Sequence, residues 1–290
     1  MTKLKKKVVV IGAGHNALTC ASYLAKSGFE VEVHESRSEV GGMACTREFT
    51  EGYKVPGVAH LLHMLNPNIQ KWLGLNKNGL EFAANRLKTI SLNPNGNALV
   101  IDGDHVEGDG ITDQHRAEFK SFKKKTNSLA QFFRSAYQIS PPRIRTDNKK
   151  DLLGLMQTGW NLRTMGNEGM TDMLRFIAIN VFDLFDEYFD NDFIKGSLAI
   201  DAVLGNHLGP RTNNSVITYL HTLTGEIDGV QGAYAIPKGG MSSYTDALKN
   251  SAEKLGVRIV LDSHVEQIIV DENGKASGVK FAKGNEVGAD

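Results

Sequence analysis

The apolar positions of this chain change period more than once. Val8-Val9-Val10-Ile11 is an unbroken β-branched run, the pattern of a parallel strand buried on both faces. It stops at Gly12-Ala13-Gly14. From Asn16 to Ser27 the period becomes helical, with Ala17, Leu18, Ala21, Leu24 and Ala25 on one face and Gly28 where a helix stops. Val31 to Glu35 reads as a second strand. Strand, helix and strand in this length predict a βαβ unit.

The middle of the chain is mixed and mainly helical. Leu87 to Leu92 and Ala98 to Ile101 read as short strands. Gln114 to Tyr137 reads as one long helix ended by Ser140-Pro141-Pro142, with Lys123-Lys124-Lys125 as a solvated face. Met173, Phe176 and Ile177 open another apolar stripe, and Phe182, Phe185 and Phe189 follow at helical spacing, as core. α/β character then returns. Pro237 to Met241 is a loop, Ser242 to Leu255 a helix stopped by Gly256, and Val257 to Leu261 a strand. Val265 to Val270 and Ala276 to Phe281 are strands joined by the turn Asp271-Glu272-Asn273-Gly274, with a further strand after them. The expected organisation is an α/β domain in two segments, 1–65 and 233–290, around a largely helical insertion, 66–232.

Composition narrows the function classes. Lys plus Arg and Asp plus Glu number 33 each, so nothing points to nucleic acid as a partner. Cys20 and Cys45 have neither CxxC nor zinc spacing and read as reduced thiols, with no metal site expected. The basic opening, Met1 to Lys7, leads into a strand and turn instead of a secretory apolar region. No stretch is long and apolar enough to span a bilayer. A cytoplasmic location is expected.

Gly12-Ala13-Gly14-His15-Asn16-Ala17 fits G-x-G-x-x-G/A. Gly12 permits the tight turn, Gly14 lets backbone approach a pyrophosphate, and Ala17 lets the helix pack close to the strand. The free amides and dipole at the helix start favour phosphate charge. Glu35 ends the second strand about 20 residues downstream, where a carboxylate accepts from a ribose 2′-hydroxyl and repels a 2′-phosphate. Ser36 and Arg37 follow, then Gly41-Gly42-Met43. A second glycine pair lets another loop pass close to the same diphosphate, and Arg37 adds a charge-assisted contact or fixes that loop.

With these residues in view, the run VVVIGAGHNALTCASYLAKSGFEVEVHESRSEVGGMACT resembles the start of phytoene-desaturase-type flavoproteins. Glu51-Gly52-Tyr53 through His60, Asp201 through Pro210, and Pro237 through Met241 agree with it. The resemblance implies a Rossmann-like FAD-binding domain of glutathione-reductase/amine-oxidase type with a helical substrate-domain insertion. It implies FAD as cofactor and hydride transfer from an organic, apolar substrate, with peripheral membrane contact compatible. Gly12, Gly14, His15, Asn16 and Ala17 would line the diphosphate and Glu35 the adenosine ribose. Ser36, Arg37, Gly41, Gly42 and Met43 would form the second loop, and Val265 would meet adenine through its backbone. Related enzymes carry Arg directly after the glycine pair; here it is Met43. Full-length relatives run further and hold a last FAD-contacting motif beyond this chain, so truncation is expected. A dithiol reductase needs a second cysteine near Cys45, which is absent, so disulfide chemistry is rejected.

His60 and His63 are the histidines nearest the binding loops in sequence, and His207 and Arg211 flank Gly209-Pro210; each reads as structural or as a substrate contact. The competing readings are a non-catalytic FAD-binding fragment or escort-type module on the same fold, and an NAD-binding dehydrogenase. The paired glycines and the helical insertion argue against the dehydrogenase.

Overall fold

The computed structural model describes residues 6–143 and 147–290. The basic opening lies outside the described residues as far as Lys5. The chain divides into two compact units: Met1–Asn85 with Tyr234–Asp290, and Arg86–Ala233.

The first unit opens with β1 (Lys7–Ile11), α1 (His15–Lys26) and β2 (Glu30–His34). A hairpin follows, β3 (Thr46–Thr50) with β4 (Tyr53–Pro56), then the short helix α2 (Pro67–Trp72), a 3-10 turn (Leu75–Asn78) and β5 (Phe82–Ala84). The second unit holds β6 (Thr89–Ser91), β7 (Leu99–Asp102) and β8 (His105–Glu107), an antiparallel sheet in that order. Six helices come next: α3 (Asp113–Ala136), α4 (Lys149–Thr164), α5 (Gly166–Ala178), α6 (Val181–Tyr188), α7 (Asp192–Val203) and α8 (Ser215–Thr222). The pair β9 (Glu226–Ile227) and β10 (Val230–Gln231) ends it. The chain re-enters the first unit through β11 (Ile236–Pro237), which pairs with β5, then α9 (Met241–Lys254) and β12 (Arg258–Val260). Last comes the antiparallel meander β13 (Val265–Val270), β14 (Ala276–Phe281) and β15 (Glu286–Gly288).

The first unit is built on a parallel sheet in the order β1-β2-β12. β2 is central, and Val31 and Val33 are buried on it, as are Leu18 and Ala21 of α1 and Ala247 and Leu248 of α9. Gly28, at φ +94°, ends α1 in a conformation that L side chains rarely adopt. β1 is expected to be buried on both faces; among the described residues it pairs with β2 alone, Val8 to Val10 are half-buried and Ile11 is 48% exposed. Lys7 exchanges bonds with Asp290, whose amide donates to the Lys7 carbonyl at 3.0 Å. Along the rest of that side no strand pairs with β1 among the described residues.

The expected boundary at 65/66 is corrected to 85/86. Residues 66–85 are tied to the first unit because α9 binds their polar groups. Ser251 Oγ donates to the Leu73 carbonyl at 2.8 Å, Asn250 Nδ2 to the Asn78 carbonyl at 3.0 Å, and β5 pairs with β11.

The second unit packs around rings. Phe119, Phe122, Phe176, Phe185 and Tyr219 are fully buried together with Leu184, Ile194 and Leu220. Phe122 meets Phe185, Tyr188 and Phe189 edge-on, with centroids at 5.6, 5.0 and 5.1 Å. Phe189, placed with the helical aromatics in sequence, caps α6 in extended conformation and still reaches this core. The lysine run on α3 is not one solvated face. Lys123 lies over the Tyr219 ring at 5.8 Å, and burial pushes its amine down against the pull of Asp201 and Asp104. Lys125 pairs with Asp172 at 2.8 Å, and only Lys124 is exposed. Three consecutive helical residues span about 200° and cannot share one environment. Among the described residues no helix is long and apolar enough to cross a membrane.

Candidate dinucleotide site

The turn after β1 is shaped by glycine. Gly12 stands at φ +86°, and its amide donates to the His34 carbonyl at 2.7 Å, fastening the turn to β2. Gly14 is the N-cap of α1, with extended backbone and no side chain capping the helix. The first helical bond runs from the Leu18 amide to the Gly14 carbonyl, so the amides of His15, Asn16 and Ala17 are left outside the helical ladder. These are the groups that, with the helix dipole, attract an anion. Burial lowers the pKa of His15.

The second glycine pair reaches the same place. Gly41 bridges to Gly14 in parallel register, and its amide donates to the Ala13 carbonyl at 2.9 Å. Gly42, at φ +59°, lies so close that a Cβ built on it would stand 3.5 Å from the Gly14 Cα. A Cβ on Gly12 or Gly14 would meet nothing within 4 Å. The turn thus has open space beside bare amides, on the side where the protein supplies no side chain. That space and donor set fit a diphosphate.

Gly41 has a second constraint that its sequence position did not reveal. Its φ is +119°, and a Cβ there would come within 2.9 Å of Thr245 Oγ1 and 3.1 Å of the Ala44 carbonyl. Thr245 is buried on α9. The same helix and loop are joined by a reciprocal pair: the Thr46 amide donates to Ser242 Oγ at 2.7 Å, and the Ser242 amide to Thr46 Oγ1 at 3.2 Å. Thr46, Ser242 and Thr245 hold the loop in place. A serine and a threonine near the start of a helix carry no signal of such a distant partner.

Glu35 follows β2 and is 8% exposed. Its Oε2 accepts from the Ala13 amide at 2.7 Å, and its Oε1 from the Arg37 amide at 3.0 Å and Ser36 Oγ at 3.2 Å. Burial pushes this carboxyl up, but the Ala13 and Arg37 amides, Ser36 and the Arg37 charge outweigh it and hold it below the usual range. A carboxylate has about four acceptor positions, so three donors leave one for a ligand hydroxyl. The residue therefore ties the glycine turn to the following loop, a role beyond the ribose contact expected of it.

The other candidates are placed as follows. Arg37 and Met43 are exposed, and the Met43 carbonyl accepts from the Ala59 amide at 3.0 Å. Val265 begins β13, two residues after Ser263, whose amide donates to the Glu35 carbonyl at 2.8 Å. Glycine turn, Glu35 loop, glycine pair and the start of β13 thus come together. His60 is exposed, and His63 stacks on Tyr234 at 4.0 Å. In the second unit His207 is exposed and Arg211 lies 3.5 Å over the Phe182 ring. Cys20 and Cys45 are free thiols, the second buried. Among the described residues no cluster could hold a metal.

Residues 10–74 match the family described as NAD(P)-binding Rossmann-like domain. The chain is 29% identical to pyridine nucleotide-disulfide oxidoreductase domain-containing protein 2 of Rattus norvegicus, over 96% of this chain and 51% of that protein. It is 24% identical to phytoene desaturase of Fusarium fujikuroi, over 100% of this chain and 49% of that enzyme. The chain thus spans about half the length of these relatives. Among solved structures, an oxidoreductase from Methanosarcina mazei aligns with a TM-score of 0.57 at 18% identity, over 98% of this chain and 57% of that one. Residues 10–74 thus match a Rossmann-like domain, and the chain as a whole is similar in sequence to a phytoene desaturase and in fold to a solved oxidoreductase.

Proposed function

We propose that this protein is an FAD-dependent oxidoreductase of the dehydrogenase or desaturase type, moving a hydride from an organic, apolar substrate to flavin. One observation carries the reading: two glycine stretches meet at the uncapped start of α1 and leave open space over its amides. The oxidoreductase and desaturase relatives support it. The amides of His15, Asn16 and Ala17 would face the diphosphate, with Gly41 and Gly42 closing over it and Arg37 adding positive charge beside it. Glu35 would hold the adenosine ribose, and its charge disfavours a 2′-phosphate. The backbone of Val265 would meet adenine. The flavin, when bound, supplies the hydride chemistry, and the protein's part is to orient it and exclude water.

The test is cofactor binding. Purified protein is expected to show a flavin spectrum, either as isolated or after adding FAD, and mass spectrometry of the released cofactor should give FAD. Gly14 has φ −70° and ψ 167°, a conformation valine also adopts, and its Cβ position is free of protein atoms. Gly14→Val should therefore fold normally and lose FAD affinity by about 100-fold or more, since its side chain enters the diphosphate space. A colourless protein that ignores added FAD, or a valine variant that binds like the parent, would overturn the proposal.

A further inference from the structure

Side chains alternate along β2. Val31 and Val33 take one face, Glu32 and His34 the other, and the polar pair is buried, at 6% and 4% exposure. Two ionisable groups on a covered face of a parallel sheet are costly unless each is matched. Glu32 has three partners. Lys7 Nζ lies 3.1 Å away from β1, an Arg258 guanidinium nitrogen 2.8 Å away from β12, and His34 Nε2 3.3 Å away. Burial pushes the Glu32 carboxyl up, but Arg258 and Lys7 override it and bring it down to about 2.

That fixes the imidazole. A carboxylate only accepts, so the proton of neutral His34 sits on Nε2 and Nδ1 keeps its lone pair. Ser263 Oγ lies 2.9 Å from Nδ1 and donates to it. The Ser263 amide in turn donates to the Glu35 carbonyl. A polar chain thus runs from the cations of β1 and β12 through Glu32, His34 and Ser263. It ends beside Glu35 and two residues before Val265. Phe281 of β14 packs on the ring at 4.7 Å.

We infer that His34 is a positioning residue for the nucleotide, holding the start of β13 against the adenosine end of the site through Ser263. The inference rests on the nucleotide reading above. The groups facing His34 are Glu32 on its own strand, Lys7 from β1, Arg258 from β12, and Ser263 and Phe281 from the meander side. Burial lowers its pKa, Glu32 opposes this, and Arg258 and Lys7 add to it, so the ring is neutral near pH 7. Protonation places a hydrogen on Nδ1, which then no longer accepts from Ser263, and the hold is lost. Glu35, held below the usual carboxylate range, keeps its charge over the same interval. Nucleotide affinity therefore falls as pH drops below the ordinary histidine range.

ADP-ribose is the probe, since it carries the adenosine and a diphosphate esterified at both ends, which does not titrate over the range used, without the flavin. Calorimetric titrations at about pH 8 and about pH 5 compare the parent, Ser263→Ala, His34→Gln and Glu35→Ala. The parent should weaken by about 5-fold at the lower pH, the loss of one hydrogen bond. Ser263→Ala should be weaker by about the same factor at the higher pH and indifferent to pH. His34→Gln, whose amide donates to Glu32 and accepts from Ser263, should keep affinity and lose the pH dependence. Parent binding that ignores pH, together with Ser263→Ala binding like the parent, overturns the positioning role and leaves the site standing. No ADP-ribose binding by the parent at either pH, or undiminished binding by Glu35→Ala, removes the nucleotide reading as well.

Discussion

The two units solve burial in opposite ways. The second fills its centre with rings, Phe119, Phe122, Phe185 and Tyr219, and the polar residues buried with them, Thr126, Asn180, Ser197, Ser215 and Thr224, are hydroxyls and one amide. The first places Glu32 and His34 on a covered face of its sheet and fits its glycine loops together by backbone bonds. An apolar core tolerates changes of shape that preserve volume, because dispersion and transfer energies are non-directional. A face of paired charges and a cradle of bare amides tolerate little, since each depends on a particular donor or a missing Cβ. The difference teaches what holds each unit: area holds the helical one, geometry holds the glycine loops and the paired charges of the other.

Substitutions at Phe122, Gly41 and Ser242, each with its own control, sharpen that contrast. Phe122→Ala removes the ring at the centre of the second unit and should cost about 4 kcal/mol, read as a lowered midpoint in denaturant unfolding. Phe122→Leu should recover most of it; a leucine variant as unstable as alanine would show that this core depends on ring geometry after all. Gly41→Ala should cost about 2 kcal/mol, because a β-carbon at φ +119° is strained and presses on Thr245 and the Ala44 carbonyl. Combining it with Thr245→Ala should recover part of that loss, and additive losses would show that strain alone is responsible. The smallest effect is expected from Ser242→Ala. It removes the acceptor of the Thr46 amide and should cost about 1 kcal/mol, measured as a small fall in thermal midpoint. An equal effect from Ser197→Ala, whose hydroxyl donates to the Phe193 carbonyl within α7, would erase the distinction between the units.

How much of this was legible in sequence follows the same division. The βαβ unit was readable because Val8 to Ile11, the stripe on α1 and Gly28 each act within a few residues. The returning helix and the meander were readable for the same reason, with Asn273-Gly274 marking the turn. What escaped was set by partners far along the chain. β1 reads as an interior strand, yet how far it is covered depends on strand order, which no local pattern encodes. Residues 66–85 read as part of the insertion because their ties to Asn250 and Ser251 span more than 170 positions. Lys123, Lys124 and Lys125 read as one face because adjacent charges look alike in one dimension. In the site, Gly12, Gly14 and Glu35 were picked out by spacing, while Thr46, Ser242 and Thr245 had no local mark. Gly41 was chosen as a diphosphate contact, and Thr245 and the Ala44 carbonyl set a separate packing constraint on it.

The first unit is discontinuous, and this matters for the order of events on the ribosome. Lys7 and Glu32 emerge early, but Arg258 follows more than 200 residues later. At about 5 to 20 residues per second, the interval is roughly 10 to 45 s. During that time the whole of Arg86–Ala233 is made and, as one uninterrupted stretch, has the contacts it needs to collapse. The nascent β1-β2 pair meanwhile has a carboxylate awaiting its second cation and a sheet face awaiting the meander. Domain insertion therefore lets the inserted unit form before the β1-β2-β12 sheet around it is complete.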